Sequence, residues 1–292
     1  MCDERTQQDA EVYLRRSGNL TRRRFGALSL GTGAASLLPL TAAAHAVTTT
    51  DIEVPTPDGV ADCHFVHPSS GAHAGVLVWP DALGLRPAFE EMGRRLAEAG
   101  YAVLVVNPYY RTAKAPVAPE GASFRHESTR AKIIPLMRAL SPRHTVTDAR
   151  AFVAFLDSQD AVAGDRKMGT TGYCMGGAMT MRTAAEFPDR IGAGASFHGG
   201  RLVTDAPDSP HLLVGTMNAH YLVAIAENDD AKEPEAKTTL RRAFAAAGLP
   251  AEIEVYAGTL HGWCSLDSAV YHEAQAERAW GRLLALFDRA LA

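Results

Sequence analysis

From residue 51 onward, short apolar runs alternate with segments in which apolar residues recur at helical spacing. The runs AGVLVWP and YAVLVVNPYY are continuous and of strand length, as expected of strands that are covered on both faces. Between them, RPAFEEMGRRLAEAG places Phe89, Met92 and Leu96 on one face of a predicted helix. Similar pairs follow up to a last helix at about residues 268–291. The alternation predicts an α/β fold, in which a mostly parallel sheet has helices on both faces.

Two segments depart from this alternation. Residues 51–68 contain two strand-like runs on either side of Pro-Asp-Gly at 57–59, which predicts a hairpin that turns there. Residues 111–142 are rich in alanine, proline and charge. They predict a loop that contains a short helix at about residues 133–140.

The N-terminal residues 1–46 have a different composition. The cluster TRRRF at 21–25 resembles the Ser/Thr-Arg-Arg-x-Phe pattern of twin-arginine export signals, and a mildly apolar Gly/Ala-rich stretch leads to an A-x-A cleavage site at 44–46. We therefore expect a disordered polar tail over the first twenty residues, recognition by the twin-arginine export machinery, and a periplasmic or secreted domain at 47–292. The alternatives are an uncleaved membrane anchor and a solvated basic tail.

The composition narrows the function further. With 47% hydrophobic residues and a formal charge of -4, the chain does not have the composition of a dedicated nucleic-acid binder or a polycationic membrane binder. The 11 histidines show no spacing that indicates zinc, so no metal is expected. Of the 4 cysteines, Cys2 lies in the tail, and whether Cys63 and Cys264 form a disulfide stays open, as does the oligomeric state.

One cysteine lies between glycines where a predicted strand gives way to a helix. The segment GTTGYCMGGAM places Cys174 in a Gly-x-Cys-x-Gly motif, which has the form of a nucleophile elbow with cysteine in place of serine. In such a turn the middle residue is strained, and the small flanking residues let the strand and the helix approach each other. The N–H groups and the dipole at the start of the helix favour a thiolate. The alternative is a buried structural cysteine at a tight turn.

A catalytic cysteine needs a base, and the base needs an orienting acid. VYAGTLHGW places His261 directly after an apolar strand, and LVAIAENDDAKEP places Asp229 and Asp230 after another. The order Cys174, Asp229, His261 is the nucleophile, acid, histidine order of α/β-hydrolases. Asp230 is adjacent and stays an alternative acid. His198 also ends a predicted strand, and we expect it to line the pocket or to satisfy backbone groups rather than to act as the base.

Several of these segments resemble those of a known family. GYCMGG, AENDDAK and GTLHGW are similar to the corresponding segments of dienelactone hydrolases, cysteine-based members of the α/β-hydrolase fold, and the likeness spans about residues 51–290. That family has a glutamate after its first central strand and an arginine after the next, where this chain has Asp81 and Arg111. The resemblance implies Asp81 as a carboxylate near the thiol and Arg111 as a clamp for a substrate carboxylate. It also implies an oxyanion hole formed by the N–H groups of Met175 and Ala82.

The predicted function is hydrolysis of a small ester or lactone by an exported cysteine hydrolase with an α/β-hydrolase fold and no cofactor. Tyr110 and Trp263 are expected to wall the substrate pocket, and Cys264 is expected to pack nearby. Three alternatives stay open. They are a broader esterase or thioesterase, since fold and triad do not fix the substrate, a binding protein without turnover, and a thiol redox protein that uses Cys174 and Cys264. The absence of a C-x-x-C motif argues against the last.

Overall fold

A computed structural model describes residues 4–16 and 44–292 of the chain. In this part of the chain, eight strands form one sheet with the order β1-β2-β4-β3-β5-β6-β7-β8. The strands are β1 (Val47–Thr56), β2 (Gly59–Pro68), β3 (Gly75–Trp79), β4 (Ala102–Val106), β5 (Met168–Tyr173), β6 (Ile191–Phe197), β7 (His220–Ala226) and β8 (Ala251–Tyr256). The first two form an antiparallel hairpin, β2 is antiparallel to β4, and the six strands β3 to β8 run parallel to one another. The predicted α/β-hydrolase architecture is confirmed.

Helices precede, connect and follow the strands. They are α1 (Glu4–Arg16), α2 (Pro87–Glu98), α3 (Glu127–Ala139), α4 (Pro142–Asp157), α5 (Met175–Glu186), α6 (Glu227–Lys232), α7 (Ala236–Ala246) and α8 (Glu273–Ala290), with a 3₁₀ helix at Pro210–Thr216. Compared with the sequence-based prediction, α3 is longer, and the segment after β7 forms the short helix α6.

The core lies on both faces of the sheet, as the continuous apolar strands predict. Along β3, Val76 and Val78 belong to the cluster that contains Phe89 of α2, whereas Leu77 and Trp79 belong to the cluster on the opposite face. Alternate residues of a strand point to opposite faces, so both rows of β3 are buried. Full burial of each such side chain contributes about 1.5–3 kcal/mol to stability. The central strands are therefore a rigid support for the loops at their C-terminal ends.

The N-terminal segment differs from the prediction. Residues 4–16 form the helix α1, whereas the sequence predicts a disordered tail. The segment ERTQQDAEVYLRR consists mostly of good helix formers, and it has contacts that a linear sequence does not reveal. Asp9 accepts a hydrogen bond from Asn228 at 3.0 Å, and Lys232 donates one to Thr6 at 2.7 Å.

Most of the predicted export signal, residues 17–43, lies outside the described residues. At the predicted cleavage site, the N–H of His45 donates to the carbonyl oxygen of Glu98 at 3.0 Å, and the carbonyl of Ala46 accepts from Ser69 at 2.8 Å. No helix in the described ranges combines the length and the hydropathy that a membrane crossing needs.

Candidate active site

The turn between β5 and α5 has the geometry of a nucleophile elbow. Cys174 has φ 54° and ψ −114°, a left-handed backbone conformation that a residue with a side chain adopts only under constraint. The flanking glycines allow the close approach. A Cβ on Gly172 would lie 2.2 Å from the carbonyl oxygen of Gly176, and a Cβ on Gly176 would lie 2.3 Å from that of Trp79. The strained position therefore holds the Cys174 side chain directly before the first residue of α5.

Further along the sheet, an aspartate follows β7 and a histidine follows β8. His261 Nδ1 lies 2.7 Å from Asp229 Oδ2. Burial by itself would raise the pKa of Asp229, but the charge of His261 and the hydrogen bond to it hold this pKa below its ordinary value. Asp229 is therefore ionised at neutral pH and accepts the Nδ1 proton, which leaves Nε2 for proton transfer. The main chain is fixed as well, because the His261 N–H donates to Asn228 Oδ1 at 2.9 Å.

The geometry decides between the two adjacent aspartates. Asp230 forms a salt bridge with Lys237, whose Nζ lies 2.6 Å and 2.8 Å from the two carboxylate oxygens. The two carboxylates thus have different partners, because neighbouring residues in the helix α6 point in different directions. Asp229 is the aspartate that contacts His261.

The elbow and the histidine meet at a cavity of about 230 Å³. Cys174, His261 and His198 line it, together with Asp81 and Ala82 from the loop after β3. The volume is below the range of about 300–1,000 Å³ that is typical of pockets for drug-sized ligands, so the cavity suits a small molecule. The remaining lining residues are Thr6, Ala10, Leu83, Arg86, Gly121, Ala122, Ser123, Phe124, Arg125, His126, Gly262, Ser265, Asp267, Ser268, Ala269 and Val270.

The two residues predicted to form an oxyanion hole lie at the start of α5 and in the cavity wall. Met175 is the first residue of α5, and the N–H groups of the first helical turn have no acceptor within the helix. Ala82 lines the cavity, and its carbonyl oxygen is fixed at 2.9 Å by the hydroxyl of Tyr109. Met175 follows Cys174 in the chain and Ala82 shares the cavity wall with it, so the assignment of their N–H groups to an oxyanion hole stays a prediction.

Asp81 lies in the cavity wall as part of a buried ion-pair network that the sequence does not reveal. Its carboxylate accepts hydrogen bonds from Arg86 at 2.7 and 2.9 Å, from the Leu83 N–H at 2.9 Å, and from Ser265 at 3.1 Å. Burial opposes ionisation, but Arg86 lowers the pKa of Asp81 below its ordinary value. Arg86 also binds Asp267. The residues are 181 positions apart in sequence, so no local motif indicates this contact.

The structure does not place the predicted carboxylate clamp at the cavity. Arg111 donates hydrogen bonds to Asp148, at 2.6 and 2.8 Å, and to Asp58, at 2.6 and 3.0 Å. Tyr110 donates to the same Asp148 at 2.8 Å. Trp263 is fully buried and stacks on Tyr256, with 4.7 Å between the ring centroids. These three residues are not among those that line the cavity. For Tyr110 and Arg111 the reason is that the chain after β4 turns toward the β1-β2 hairpin and α4, where Asp58 and Asp148 bind them.

His198 is a buried histidine of the cavity wall. The side chain is buried, and neither ring nitrogen has a hydrogen-bond partner among the described residues. Its ring contacts the ring of His261 edge-on, with 5.0 Å between the centroids. Burial, followed by repulsion from His261, lowers the pKa of His198 to about 3. The imidazole is therefore neutral at neutral pH, and the backbone is strained with φ 40°.

The other described cysteines are buried thiols outside the cavity. Cys63 and Cys264 form no disulfide, and burial raises the pKa of each thiol above its ordinary value. Within the described ranges, no group of three His, Cys, Asp or Glu side chains is arranged to hold a metal ion.

A strand-to-helix elbow after β5, with an Asp–His pair from the loops after β7 and β8, is the arrangement of the α/β-hydrolase fold. A sequence model of the Dienelactone hydrolase family matches residues 62–291. The chain therefore belongs to the dienelactone hydrolase family.

Curated relatives are similar over most of their length. Carboxymethylenebutenolidase of Rhodococcus opacus is 25% identical over 235 residues, which cover 78% of this chain and 86% of that protein. A Salmonella typhi protein with the provisional name carboxymethylenebutenolidase is 29% identical over 223 residues, which cover 75% and 78% of the two chains.

Solved structures share the fold. A dienelactone hydrolase-like promiscuous phosphotriesterase from metagenomic libraries superposes with a TM-score of 0.69 at 22% identity, covering 85% of this chain and 100% of that one. Dienelactone hydrolase of Anabaena variabilis gives a TM-score of 0.62 at 16% identity, with coverage of 85% and 100%.

Proposed function

We propose that this protein hydrolyses small carboxylic esters or lactones with Cys174 as the nucleophile. The observation that carries the proposal is the convergence of three features on one cavity. Cys174 sits in a strained elbow, His261 is oriented by Asp229 through a 2.7 Å contact, and Ala82, a predicted oxyanion-hole residue, lines the same cavity as Cys174 and His261. The names of the carboxymethylenebutenolidase relatives support the same reaction class.

In the first half of the reaction, the Cys174 thiolate attacks the acyl carbon of the substrate. The carbonyl π electrons move to the oxygen, and the N–H groups of Met175 and Ala82 stabilise the resulting oxyanion. The tetrahedral intermediate then collapses, the bond to the leaving oxygen breaks, and that oxygen takes a proton from His261 Nε2. The products of this half are the alcohol or enol and a thioester on Cys174.

In the second half, water attacks the thioester and His261 Nε2 takes its proton. A second oxyanion forms in the same N–H pair, and its collapse breaks the carbon–sulfur bond. The carboxylic acid leaves, and the sulfur departs as a thiolate. Throughout the cycle, Asp229 stabilises the protonated form of His261 and keeps Nε2 directed at the reacting atoms.

The test is to trap the thioester. Full-length protein is mixed with 4-nitrophenyl acetate, quenched in acid within milliseconds and digested for mass spectrometry. We expect one acetyl group on the peptide that contains Cys174, and a burst of nitrophenol stoichiometric with enzyme. Cys63 and Cys264 serve as internal controls, since both are buried away from the cavity. Steady turnover with no adduct on Cys174 would refute the nucleophile assignment.

We also propose that the protein is exported through the twin-arginine pathway, on the basis of the TRRRF cluster and the A-x-A site. Replacing Arg22 and Arg23 together by lysine should retain the protein in the cytoplasm, because the export receptor reads the guanidinium pair. Cell fractionation of the double variant beside the parent measures this, and unchanged export with processing after Ala46 would contradict the proposal. Such processing would also remove α1, whose residues Thr6 and Ala10 line the cavity.

A further inference from the structure

The charged groups of the cavity wall limit which substrates it accepts. Arg86 is the buried cation of the wall, and only 7% of it is exposed. A guanidinium has five N–H donors. Arg86 donates from Nε and Nη2 to Asp267, from Nη1 and Nη2 to Asp81, and from Nη1 to the carbonyl oxygen of Gly84, at distances of 2.7 to 3.1 Å. All five donors therefore have acceptors within the protein.

The charge of Arg86 is also cancelled. Two carboxylates, Asp81 and Asp267, bind one guanidinium, and a third carboxylate, Asp229, lies behind His261. The pKa of Asp81 is held below its ordinary value, because the attraction of Arg86 outweighs burial. The pKa of Arg86 is held above its ordinary value, since the two carboxylates outweigh its burial. Asp81 and Arg86 are thus both charged at neutral pH, and two carboxylates on one guanidinium give the network an excess of negative charge.

Other groups at the cavity do not reverse this sign. His198 is neutral at neutral pH, because its pKa is lowered to about 3. Arg125 and His126 lie at the edge of the cavity and are exposed, so water and salt screen the charge of the Arg125 guanidinium. Arg111 lies elsewhere and is bound to two carboxylates of its own.

The rest of the wall is apolar or uncharged, with Ala82, Leu83, Phe124, Ala269 and Val270 among its residues. A substrate carboxylate in the buried part of this cavity would lose water without gaining a free cationic donor there, and it would lie close to two carboxylates of like charge. An uncharged ester avoids both costs. Its hydrolysis produces a carboxylate, and the same repulsion favours release of that product.

We infer that the cavity selects uncharged esters and lactones and discriminates against substrates that carry a carboxylate, with Asp267 as the residue that sets this preference. The inference rests on the proposed ester hydrolysis at Cys174. Asp267 is the member of the network whose side chain is substantially exposed, at 42%, so it can be changed without burying a new group.

The test uses a matched pair of esters, methyl 4-acetoxybenzoate and 4-acetoxybenzoate, which differ by one negative charge remote from the scissile bond. Rate constants kcat/KM of the full-length protein at pH 7 are divided by the hydroxide rate constant of each ester. We expect the parent to favour the methyl ester by at least about tenfold. In Asp267→Asn this preference should fall by about tenfold, because one repelling charge is gone and the excess negative charge on the Arg86 network is removed.

Two variants control for other effects. Asp267→Glu keeps the charge and should keep most of the preference for the methyl ester. Asp165→Asn removes the same charge from an exposed position just before β5, at the N-terminal end of that strand and so at the end opposite to the cavity, and should leave the ratio unchanged. Equal preference in the parent, a preference for the anion, or an unchanged ratio in Asp267→Asn would overturn the inference while leaving the hydrolase proposal intact.

A binding measurement tests the charge selection independently of hydrolysis. Calorimetry with Cys174→Ala compares methyl 4-hydroxybenzoate with 4-hydroxybenzoate. Tighter binding of the methyl ester, without turnover of either acetate by the parent, would refute the hydrolase proposal and support the charge selection. Equal binding of the two compounds would overturn the charge selection whether or not the parent is active.

Discussion

Asp229→Asn should lower kcat by about a thousandfold to ten-thousandfold. The change keeps the size of the side chain but removes the charge that stabilises protonated His261. It also replaces one acceptor oxygen by an amide that donates, so the proton on Nδ1 no longer has an assured acceptor at 2.7 Å. Both halves of the proposed reaction pass a proton through Nε2, so both should slow. Single-turnover and steady-state hydrolysis of 4-nitrophenyl acetate by the full-length protein measure the effect.

Asp230→Asn is a closely matched control for this experiment. It removes the same charge from the next residue of the same helix, where the carboxylate binds Lys237 rather than His261. We expect kcat within about twofold of the parent, since exposed or half-exposed ion pairs contribute little. Equal losses in the two variants would show that the segment, and not the Asp229–His261 contact, matters. An active Asp229→Asn would remove aspartate from the mechanism.

The sequence predicts the fold because its information is local and periodic. Continuous apolar runs such as AGVLVWP are typical of strands with both faces covered, and the intervening helices favour a parallel order. The Pro-Asp-Gly turn at 57–59 predicts the hairpin for the same reason. The helix α1 is the exception. Its polar sequence has no apolar run to indicate packing, and its contacts with Asn228 and Lys232 arise only in the folded chain.

The site is predictable where chemistry follows directly after a strand. Cys174, Asp229 and His261 each lie at the C-terminal end of a parallel strand or just beyond it, and such ends converge at one edge of the sheet. The structure adds the choice of Asp229 over Asp230, which only the side-chain directions in α6 could decide.

The wall of the cavity is not predictable from spacing. Arg86 stands among other arginines and glutamates of an ordinary amphipathic helix start, and its partner Asp267 lies in a loop without a motif. Arg111 has the position that the family resemblance predicts, but Asp148 and Asp58 take up its guanidinium. Whether an arginine is free to bind a substrate depends on its neighbours in space, which no alignment of short motifs contains.

His198 should make the protein sensitive to acid well above the range in which carboxylates titrate. Its pKa is lowered to about 3 by burial and by His261, whereas an unfolded histidine titrates near pH 6.5. The unfolded state therefore binds a proton that the folded state does not, and stability falls as pH decreases from about 6.5 toward 3. At pH 5 the free energy of unfolding should be lower by about 2 kcal/mol than at pH 7.5 on account of this residue alone.

Urea unfolding at pH 7.5, 6 and 5 tests this, with His198→Asn as the variant that cannot titrate. The difference in unfolding free energy between pH 7.5 and pH 5 should shrink by about 2 kcal/mol in His198→Asn, even if its stability at pH 7.5 is lower. His126→Asn removes a histidine that is exposed at the edge of the cavity and should leave the difference unchanged. Asp81 and Asp229 contribute little in this window, because their pKa values are lowered in the folded state and an unfolded aspartate titrates at about pH 3.9, so both are largely ionised in both states above pH 5. An identical pH dependence in the parent and in His198→Asn would mean that the imidazole gains a proton in the folded protein, and that it is not the buried neutral group described here.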